Sequence, residues 1–156
     1  MISSFNVRFC TSNKCIVNIF FVSNFVSVME EKYGTRMIRE NRLERFENNT
    51  RKRDYTIQFT CPELTCLCPL SGFPDFAVIN IEYQPDKYCV ELKSLKLYIN
   101  GFRDQSIFHE DVANKILDDL VELLQPKYMK VLADFNQRGN IHTQVTAIHG
   151  RKNEDA

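Results

Sequence analysis

The chain has 156 residues, 44% of them hydrophobic and 26% charged, a size and composition that suit one domain with a real core and not two. Its 20 basic and 20 acidic side chains give a formal net charge of zero, which argues against a polyanion-binding surface and against nucleic acid as a direct partner. The six cysteines are irregularly spaced, which favours reduced thiols in a cytoplasmic protein over a disulfide scaffold.

The chain begins with 28 residues whose character differs from that of the rest. Residues 16–28 form an apolar run that is too short, and too interrupted by Asn and Ser, to span a bilayer, so no membrane association is expected. Basic residues precede the run as in a signal peptide, but no small-x-small cleavage site follows it. Residues 1–28 are therefore interpreted as an extension from an upstream start. Residues 29–53 carry many charges of both signs and predict a solvated arm, helical in part at most.

Two predicted strands enclose the segment that is best suited to chemistry. Residues 55–60 and 76–83 have the patterns of strands, and residues 65–76 contain two prolines and a glycine, which predict a stiff, turned loop. Cys68 and Asp75 lie in this loop. A thiolate can act as a nucleophile, and a nearby carboxylic acid can pass a proton to the group that the sulfur attacks. The loop is therefore a candidate catalytic segment, although a structural role for both residues is the alternative.

Two helices are predicted next. Most of residues 89–102 should be helical, with Lys93 and Lys96 on one face, where they form either a solvated surface or a site for an anion. A second helix should begin near Ile107, with His109 and Glu110 at its start facing either a cleft or solvent. The side chains expected to be buried on the two helices are Leu92, Leu95, Ile99 and Phe102 on the first, and Phe108, Val112, Ile116, Leu120 and Leu124 on the second.

The remaining elements complete a recognisable order. Residues 128–136 and 141–147 alternate apolar and polar side chains and predict a third and a fourth strand, joined by a hairpin loop at residues 137–140. The order strand, strand, helix, helix, strand, strand predicts an α+β domain at residues 54–149, with an antiparallel sheet and helices on one face. Residues 150–156 are predicted to be a polar tail.

Several segments together resemble one enzyme family. Residues 59–64 and 68–77 resemble the active loop of the 7-cyano-7-deazaguanine reductases, the nitrile reductases of queuosine biosynthesis. Residues 91–98, with the sequence Glu-Leu-Lys-Ser-Leu-Lys-Leu-Tyr, match the signature octapeptide of that family at every position. Residues 102–103 and 108–110 also fit, in the same order and with similar spacing. Within the loop, Ser71 and Phe73 stand where the family commonly has Thr and Gln.

The resemblance implies a fold and an assembly. The family has the tunnelling fold, or T-fold, whose ββααββ unit agrees with the order of elements predicted above. Such folds form rings with active sites between subunits. For the short, single-unit branch of the family, the resemblance implies a homo-oligomer in which two pentamers stack into a decamer.

The resemblance also implies a reaction and its residues. Cys68 would attack the nitrile carbon of 7-cyano-7-deazaguanine to give a covalent thioimide, and Asp75 would protonate the nitrogen. Two hydrides from two NADPH molecules would then reduce the thioimide and the imine to the aminomethyl product. The implied substrate-binding residues are Glu91, Ser94, His109 and Glu110. The implied cofactor-binding residues are Lys93, Lys96, Arg103, Arg138 and Gly139, and no metal is implied.

Other interpretations stay open at this point. A thiol-based metal or redox module would use Cys61, Cys66, Cys68 and Cys89, although Cys66-Leu67-Cys68 lacks the Cys-x-x-Cys spacing of tight zinc sites. A T-fold protein that binds a purine or pterin without reducing it would need Glu110 but not the loop thiol. A ring-forming scaffold would leave NADPH unchanged. Cys61 and Cys66 both lie near Cys68 in sequence, so the partner for any protective disulfide also stays open.

Overall fold

A computed structural model describes residues 31–153, and the interpretation of residues 1–28 as an extension lies outside them. The helices are α1 (Tyr33–Glu40), α2 (Leu92–Asn100) and α3 (His109–Leu124), with a 3-10 turn at Gly101–Asp104 after α2. The strands are β1 (Arg45–Glu47), β2 (Ile57–Leu67), β3 (Pro74–Gln84), β4 (Tyr88–Val90), β5 (Tyr128–Arg138) and β6 (Ile141–Gly150). Within residues 31–153, no helix has the length and apolar character needed to cross a bilayer.

Four antiparallel strands form the main sheet in the order β2-β3-β5-β6. Along β3 and β5 the side chains on one face are buried and those on the other are more exposed, as the two-residue period of a strand requires when one face is covered. Leu95 of α2 and Ile116 of α3 share a single hydrophobic core with Ile81 and Val131 of the sheet. Each such side chain contributes about 1.5–3 kcal/mol by leaving water. The predicted α+β fold, an antiparallel sheet with helices on one face, is confirmed.

The predicted catalytic loop is shorter than the sequence indicates, because both flanking strands extend into it. Residues 65–67 continue β2, and β3 already begins at Pro74, so only residues 68–73 form the loop. β2 tolerates Pro62 because it is an edge strand with a register shift between Cys61 and Leu64, and β3 tolerates Pro74 because it is the first residue of the strand. The prediction of loop structure at residues 65–67 and 74–75 was therefore wrong.

The helices begin later than their sequence patterns indicate. Tyr88–Val90 form β4, so α2 starts only at Leu92, whose side chain is 63% exposed. Phe108 precedes α3 as its N-cap residue and is 46% exposed. Leu92 and Phe108 were therefore wrongly placed in buried stripes, because a residue at or before the first turn need not face the core. The other predicted stripe residues are buried, namely Leu95, Ile99, Phe102, Val112, Ile116, Leu120 and Leu124.

Both ends of the described chain are tied to the domain. The predicted arm contains α1, and β1 pairs with β4 so that Phe46 lies opposite Cys89. The pairing was missed because three residues are too few for an alternating pattern. At the other end, Gly150 belongs to β6, and Asn153 exchanges two hydrogen bonds with the side chain of Gln84. The arm and the tail are therefore bonded to the domain, although most of their described residues remain exposed.

The end of β6 gives a test of the fold. Gly150 has a φ of +73°, and a Cβ added there would lie 2.3 Å from the backbone oxygen of Lys127. Left-handed strain and this steric conflict act together, so we expect Gly150→Ala to lower the free energy of unfolding by about 3 kcal/mol. Gly139 is the matched control, because its φ is +58° but no atom lies within 4 Å of an added Cβ.

Gly139→Ala should therefore lower the free energy of unfolding by only about 1 kcal/mol, the strain of the left-handed backbone alone. Urea denaturation of both variants at one protein concentration measures the difference. Equal losses in the two variants would contradict the proposed conflict between Gly150 and Lys127.

Candidate active site

Cys68 follows β2 directly and begins the loop that connects β2 to β3. The Cys68 amide donates to the Phe73 carbonyl at 2.9 Å, and the Gly72 amide donates to the Cys68 carbonyl at 2.8 Å. Gly72 has a φ of +70°, a conformation that glycine adopts without penalty. These bonds close the loop at its base and hold the cysteine at a fixed place beside the sheet.

The end of β2 is also bonded to the segment that leads into α3. The Leu67 amide donates to the Gln105 carbonyl at 2.9 Å, and the Ile107 amide donates to the Leu67 carbonyl at 3.1 Å. Because α3 starts at His109, these bonds place the first turn of that helix near Cys68. The order of the chain alone does not reveal this pairing.

Asp75 is the buried carboxylate of the site. It lies near the start of β3, opposite Cys66 of β2, and is only 5% exposed. Its Oδ1 is 2.5 Å from a guanidinium nitrogen of Arg138, and its Oδ2 is 3.3 Å from Nε2 of His109. A carboxylate is costly to bury without such partners, so the two contacts explain how Asp75 can leave water.

The ring of His109 is held in one plane by an aromatic neighbour. It stacks on Phe135 of β5, with ring centroids 3.7 Å apart and an interplanar angle of 9°. Phe135 pairs with Ala77 across the sheet and is 1% exposed. Stacking therefore fixes the imidazole with Nε2 toward Asp75. The sequence did not single out Phe135, because its apolar alternation signals only a core position.

The loop favours the thiolate of Cys68. Hydrogen bonds from the Ser71 hydroxyl, the Ser71 amide and the Leu70 amide lower the pKa of Cys68, against smaller opposing effects of burial and of the Asp75 charge. Burial raises the pKa of the nearby Cys66 to about 11, and its side chain is fully enclosed. Of these two neighbouring thiols, Cys68 is therefore the one suited to act as a nucleophile.

The described cysteines do not form a metal centre or a disulfide. Cys61, Cys66, Cys68 and Cys89 are all free thiols. Within residues 31–153, no three or more His, Cys, Asp or Glu side chains lie close enough together to hold a metal ion. The thiol-based metal module therefore has no support from the described part of the chain.

A separate cavity of about 730 Å³ lies between β2 and α2, and it is called here the α2 cavity. Its charged lining residues are Lys93, Lys96, Glu63 and Glu91, which lie beside apolar side chains. The apolar side chains are Phe59, Cys61, Pro62, Leu92, Leu95 and Ile99. The two lysines can meet an anionic group of a ligand, the apolar wall can pack against a flat ring system, and the two carboxylates can accept from its N–H groups.

Two of the predicted substrate-binding residues already bond within the chain. The carboxylate of Glu91 accepts from the amides of Lys93 at 2.9 Å and Ser94 at 2.7 Å, which caps α2 and lowers the pKa of Glu91. The buried Ser94 hydroxyl donates to the Glu91 carbonyl and accepts from the Glu44 amide. Its single donor is thus used within the chain, and the substrate contact that the resemblance implies for Ser94 stays a prediction.

The other predicted site residues lie in two regions of the chain: the segment from the end of α2 to the start of α3, and the turn between β5 and β6. Glu110 is exposed beside His109 at the start of α3, and Arg103 is exposed in the 3-10 turn after α2. Arg138 and Gly139 lie at the turn between β5 and β6, and neither is among the described residues that line the α2 cavity. Their predicted grouping with the lysines of α2 is therefore absent from the single chain, since Arg138 instead contacts Asp75.

Comparison with known proteins gives one family. A family model described as QueF-like protein matches residues 74–154. The NADPH-dependent 7-cyano-7-deazaguanine reductase of Thermosynechococcus vestitus (strain NIES-2133 / IAM M-273 / BP-1) is 50% identical over 129 residues, 83% of this chain and 98% of the relative. The protein of the same name from Aquifex aeolicus (strain VF5) is 53% identical over 116 residues, 74% of this chain and 90% of the relative.

A solved structure supports the fold. The crystal structure of the archaeosine synthase QueF-Like in the apo form matches with a TM-score of 0.58 and 21% sequence identity. The match covers 63% of this chain and 96% of that chain. At this identity the likeness concerns the fold alone.

The loop geometry predicts how Cys68 responds to pH. Because hydrogen bonds lower its pKa, its thiolate persists to lower pH than that of an ordinary cysteine, and its alkylation rate should rise at correspondingly lower pH. Ser71→Ala removes the donor that lowers the pKa of Cys68 most and should move the midpoint of the alkylation rate upward in pH. Ser71→Thr keeps a hydroxyl and is the matched control.

Iodoacetamide labelling across a pH series, with mass spectrometry of the Cys68 peptide, measures the midpoint. An unchanged midpoint in Ser71→Ala would contradict the role of the hydroxyl.

Proposed function

The chain belongs to the QueF family of 7-cyano-7-deazaguanine reductases, and on this premise we propose that Cys68, Asp75 and His109 form its active site. It is an oxidoreductase that uses NADPH to reduce the nitrile of 7-cyano-7-deazaguanine to an aminomethyl group, a step in queuosine biosynthesis. The observation that carries the site assignment is the lowered pKa of Cys68 beside a buried carboxylate.

The first step needs only groups of the chain and the substrate. The Cys68 thiolate attacks the nitrile carbon, a C–S bond forms, and one π-electron pair of the triple bond moves to nitrogen. The nitrogen takes a proton from the Asp75 carboxylic acid, and the product is a covalent thioimide. Asp75 then carries a negative charge that faces His109 and Arg138.

The base of the substrate needs an acceptor for its N–H groups. Glu110 is exposed one residue after His109, and one carboxylate can accept two parallel N–H groups from a guanidine-like edge. Glu91 lines the α2 cavity and retains carboxylate lone pairs beyond the two used in capping, so it can add a further contact. In this proposal the Ser94 hydroxyl also holds Glu91 and the segment before β1 in place through its two hydrogen bonds.

The α2 cavity fits part of NADPH. Lys93 and Lys96 offer cations to its phosphates, the apolar wall suits a flat ring, and Arg103 is exposed in the turn that follows α2. When bound, NADPH supplies the hydrides that reduce the substrate carbon. The task of the two lysines is to bind and orient this anion.

Family resemblance supports a homo-decamer, in which two pentameric rings stack, as the working form. In the single chain, each outer strand of the main sheet, β2 and β6, pairs on one side only within the described sheet. Pairing of these edges between copies would also join the α2 cavity of one subunit to the Cys68 region of another. Free thiols at all four described cysteines suit the cytoplasm, and the zero net charge suits a protein with no direct nucleic-acid partner.

Covalent catalysis makes the thiol indispensable. With 7-cyano-7-deazaguanine present, we expect the parent protein to oxidise NADPH and Cys68→Ala to do so at least about 1,000-fold more slowly. Asp75→Asn removes the proton donor and should reduce the rate by roughly 100-fold or more. Nicotinamide absorbance under reducing conditions measures both. Cys89→Ala is the matched control, because Cys89 lies in β4, outside the proposed active site, and should retain the parent rate.

Equal substrate-dependent rates in the parent and Cys68→Ala would refute the assignment. So would a parent protein that leaves NADPH unoxidised.

The two lysines of α2 should affect cofactor binding. Lys93→Ala or Lys96→Ala removes one charged contact to a phosphate and should raise the KM for NADPH roughly 10-fold. Steady-state kinetics at saturating 7-cyano-7-deazaguanine measures this change. Lys115→Ala is the control, because Lys115 lies on α3 and pairs with Asp119 at 3.0 Å. Similar KM values in all three variants and the parent would place the cofactor elsewhere.

A further inference from the structure

A β-bulge at the base of the loop between β2 and β3 sets Phe73 opposite Cys68. The Cys68 amide donates to the Phe73 carbonyl at 2.9 Å, and the Cys68 carbonyl accepts from the amide of Gly72 at 2.8 Å. Gly72 and Phe73 therefore both oppose Cys68, and the φ of Gly72, +70°, is typical of such a bulge. The pairing of Cys66 with Asp75 thus continues past the ends of the two strands.

This pairing decides on which face of the sheet the Phe73 side chain lies. Alternate side chains along a strand share a face, so Phe73 lies on the face of Asp75. Side chains of directly opposed residues also share a face, with Cβ atoms about 4.5–5.5 Å apart, so Phe73 lies beside Cys68. Asp75 is buried, whereas Phe73 lies beyond the covered part of the sheet and is 65% exposed. An exposed phenyl ring therefore lies next to the sulfur, on the side of the buried carboxylate.

The backbone of Phe73 is held at both its carbonyl and its amide. The carbonyl accepts from the Cys68 amide, and the amide donates to Oγ of Ser71 at 3.3 Å. The same Ser71 hydroxyl lowers the pKa of Cys68. The phenyl ring therefore belongs to the short loop that favours the thiolate, and a ligand that covers the ring meets a backbone that is already ordered.

We propose that Phe73 is a substrate-binding residue whose phenyl ring packs against the flat ring system of 7-cyano-7-deazaguanine. This inference rests on the proposed function, because it adds a contact to the same substrate at the same site. When Cys68 forms a C–S bond to the nitrile carbon, one π-electron pair moves to nitrogen, which takes a proton from Asp75. That carbon is bonded directly to the ring system, so a single atom separates the sulfur from the ring system in the adduct. The ring system must then lie close to any side chain beside the sulfur.

The contact complements the polar recognition of the base. Glu110 can accept from N–H groups at the edge of the base, but an edge contact leaves both flat faces open. A phenyl ring offers apolar surface to one face, and aromatic pairs attract each other beyond the area that they bury. Phe73 stands where the family commonly has Gln, so this chain presents a ring where an amide is common.

Formation of the thioimide without NADPH tests this contact. The full-length protein is mixed with increasing concentrations of 7-cyano-7-deazaguanine, absorbance gives the rate, and mass spectrometry confirms the adduct on Cys68. Phe73→Ala removes the ring and should raise the substrate concentration that gives the half-maximal rate roughly 10-fold. The maximal rate should stay within about threefold of the parent value, because the thiol and the proton donor are unchanged. The KM for NADPH in turnover should stay within about twofold of the parent value.

Three further variants show whether the flat ring is the cause. Phe73→Tyr keeps the ring and should keep the half-maximal concentration of the parent within about twofold. Phe73→Leu keeps an apolar side chain without a flat ring and should lie between the parent and Phe73→Ala. Phe46→Ala is the matched control, because Phe46 is 54% exposed but lies in β1, and this variant should behave as the parent. Thermal melting and size-exclusion chromatography check folding and assembly, and Phe73→Leu replaces Phe73→Ala if the latter does not fold.

The outcomes separate this inference from the proposed function. A raised half-maximal concentration in Phe73→Ala, with parent assembly and an unchanged KM for NADPH, would support the substrate contact. An unchanged half-maximal concentration would overturn it, whether or not the KM for NADPH rises. A smaller assembly in Phe73→Ala that Phe73→Tyr restores would also overturn it, since the ring would then pack against another subunit. A parent protein that forms no adduct at all would overturn the proposed function itself.

Discussion

The active site depends on the burial of one carboxylate. Asp75 lies inside the end of the sheet, and its two oxygens are met by Arg138 from β5 and by His109 from α3. An unpaired carboxylate at this place would be strongly destabilising, so the ionised form of Asp75 that remains after proton transfer depends on the docking of both elements. The arrangement of the reacting groups is therefore a consequence of the tertiary fold, although each group comes from a different part of the sequence.

The start of α2 shows how one short motif can serve both the fold and a ligand. The carboxylate of Glu91 caps the helix, and Ser94 ties this turn to the segment before β1. Lys93 and Lys96 are three residues apart and therefore share one exposed face, where they line the α2 cavity. The residues between the two lysines turn inward. The start of α2 therefore presents two cations to the cavity, while Glu91 and Ser94 hold this turn of the helix in place.

The sequence predicted the elements of this fold better than it predicted the site. Alternation and helical spacing identified the four strands of the main sheet and the helices α2 and α3, because each buries one continuous face. The short pair β1 and β4 carried no such signal. Within the site, Cys68, Asp75 and His109 were visible as reactive residue types in a resembling motif. The contact of Arg138 was not, because it depends on a register shift in β5 that no local pattern encodes.

The contrast between two cysteines shows how position controls reactivity here. Cys66 and Cys68 are two residues apart, yet Cys66 still lies in β2, paired with β3 and enclosed by the core. The strand ends before Cys68, so the amides and hydroxyl of the following loop are free to turn toward its sulfur. Burial holds the pKa of Cys66 at about 11, so its thiolate is rare near neutral pH and disulfide exchange at this sulfur requires β2 to open. Cys66 is therefore a poor disulfide partner for Cys68 while the domain is folded. The end of β2 at Leu67 separates the inert thiol of Cys66 from the nucleophilic thiol of Cys68.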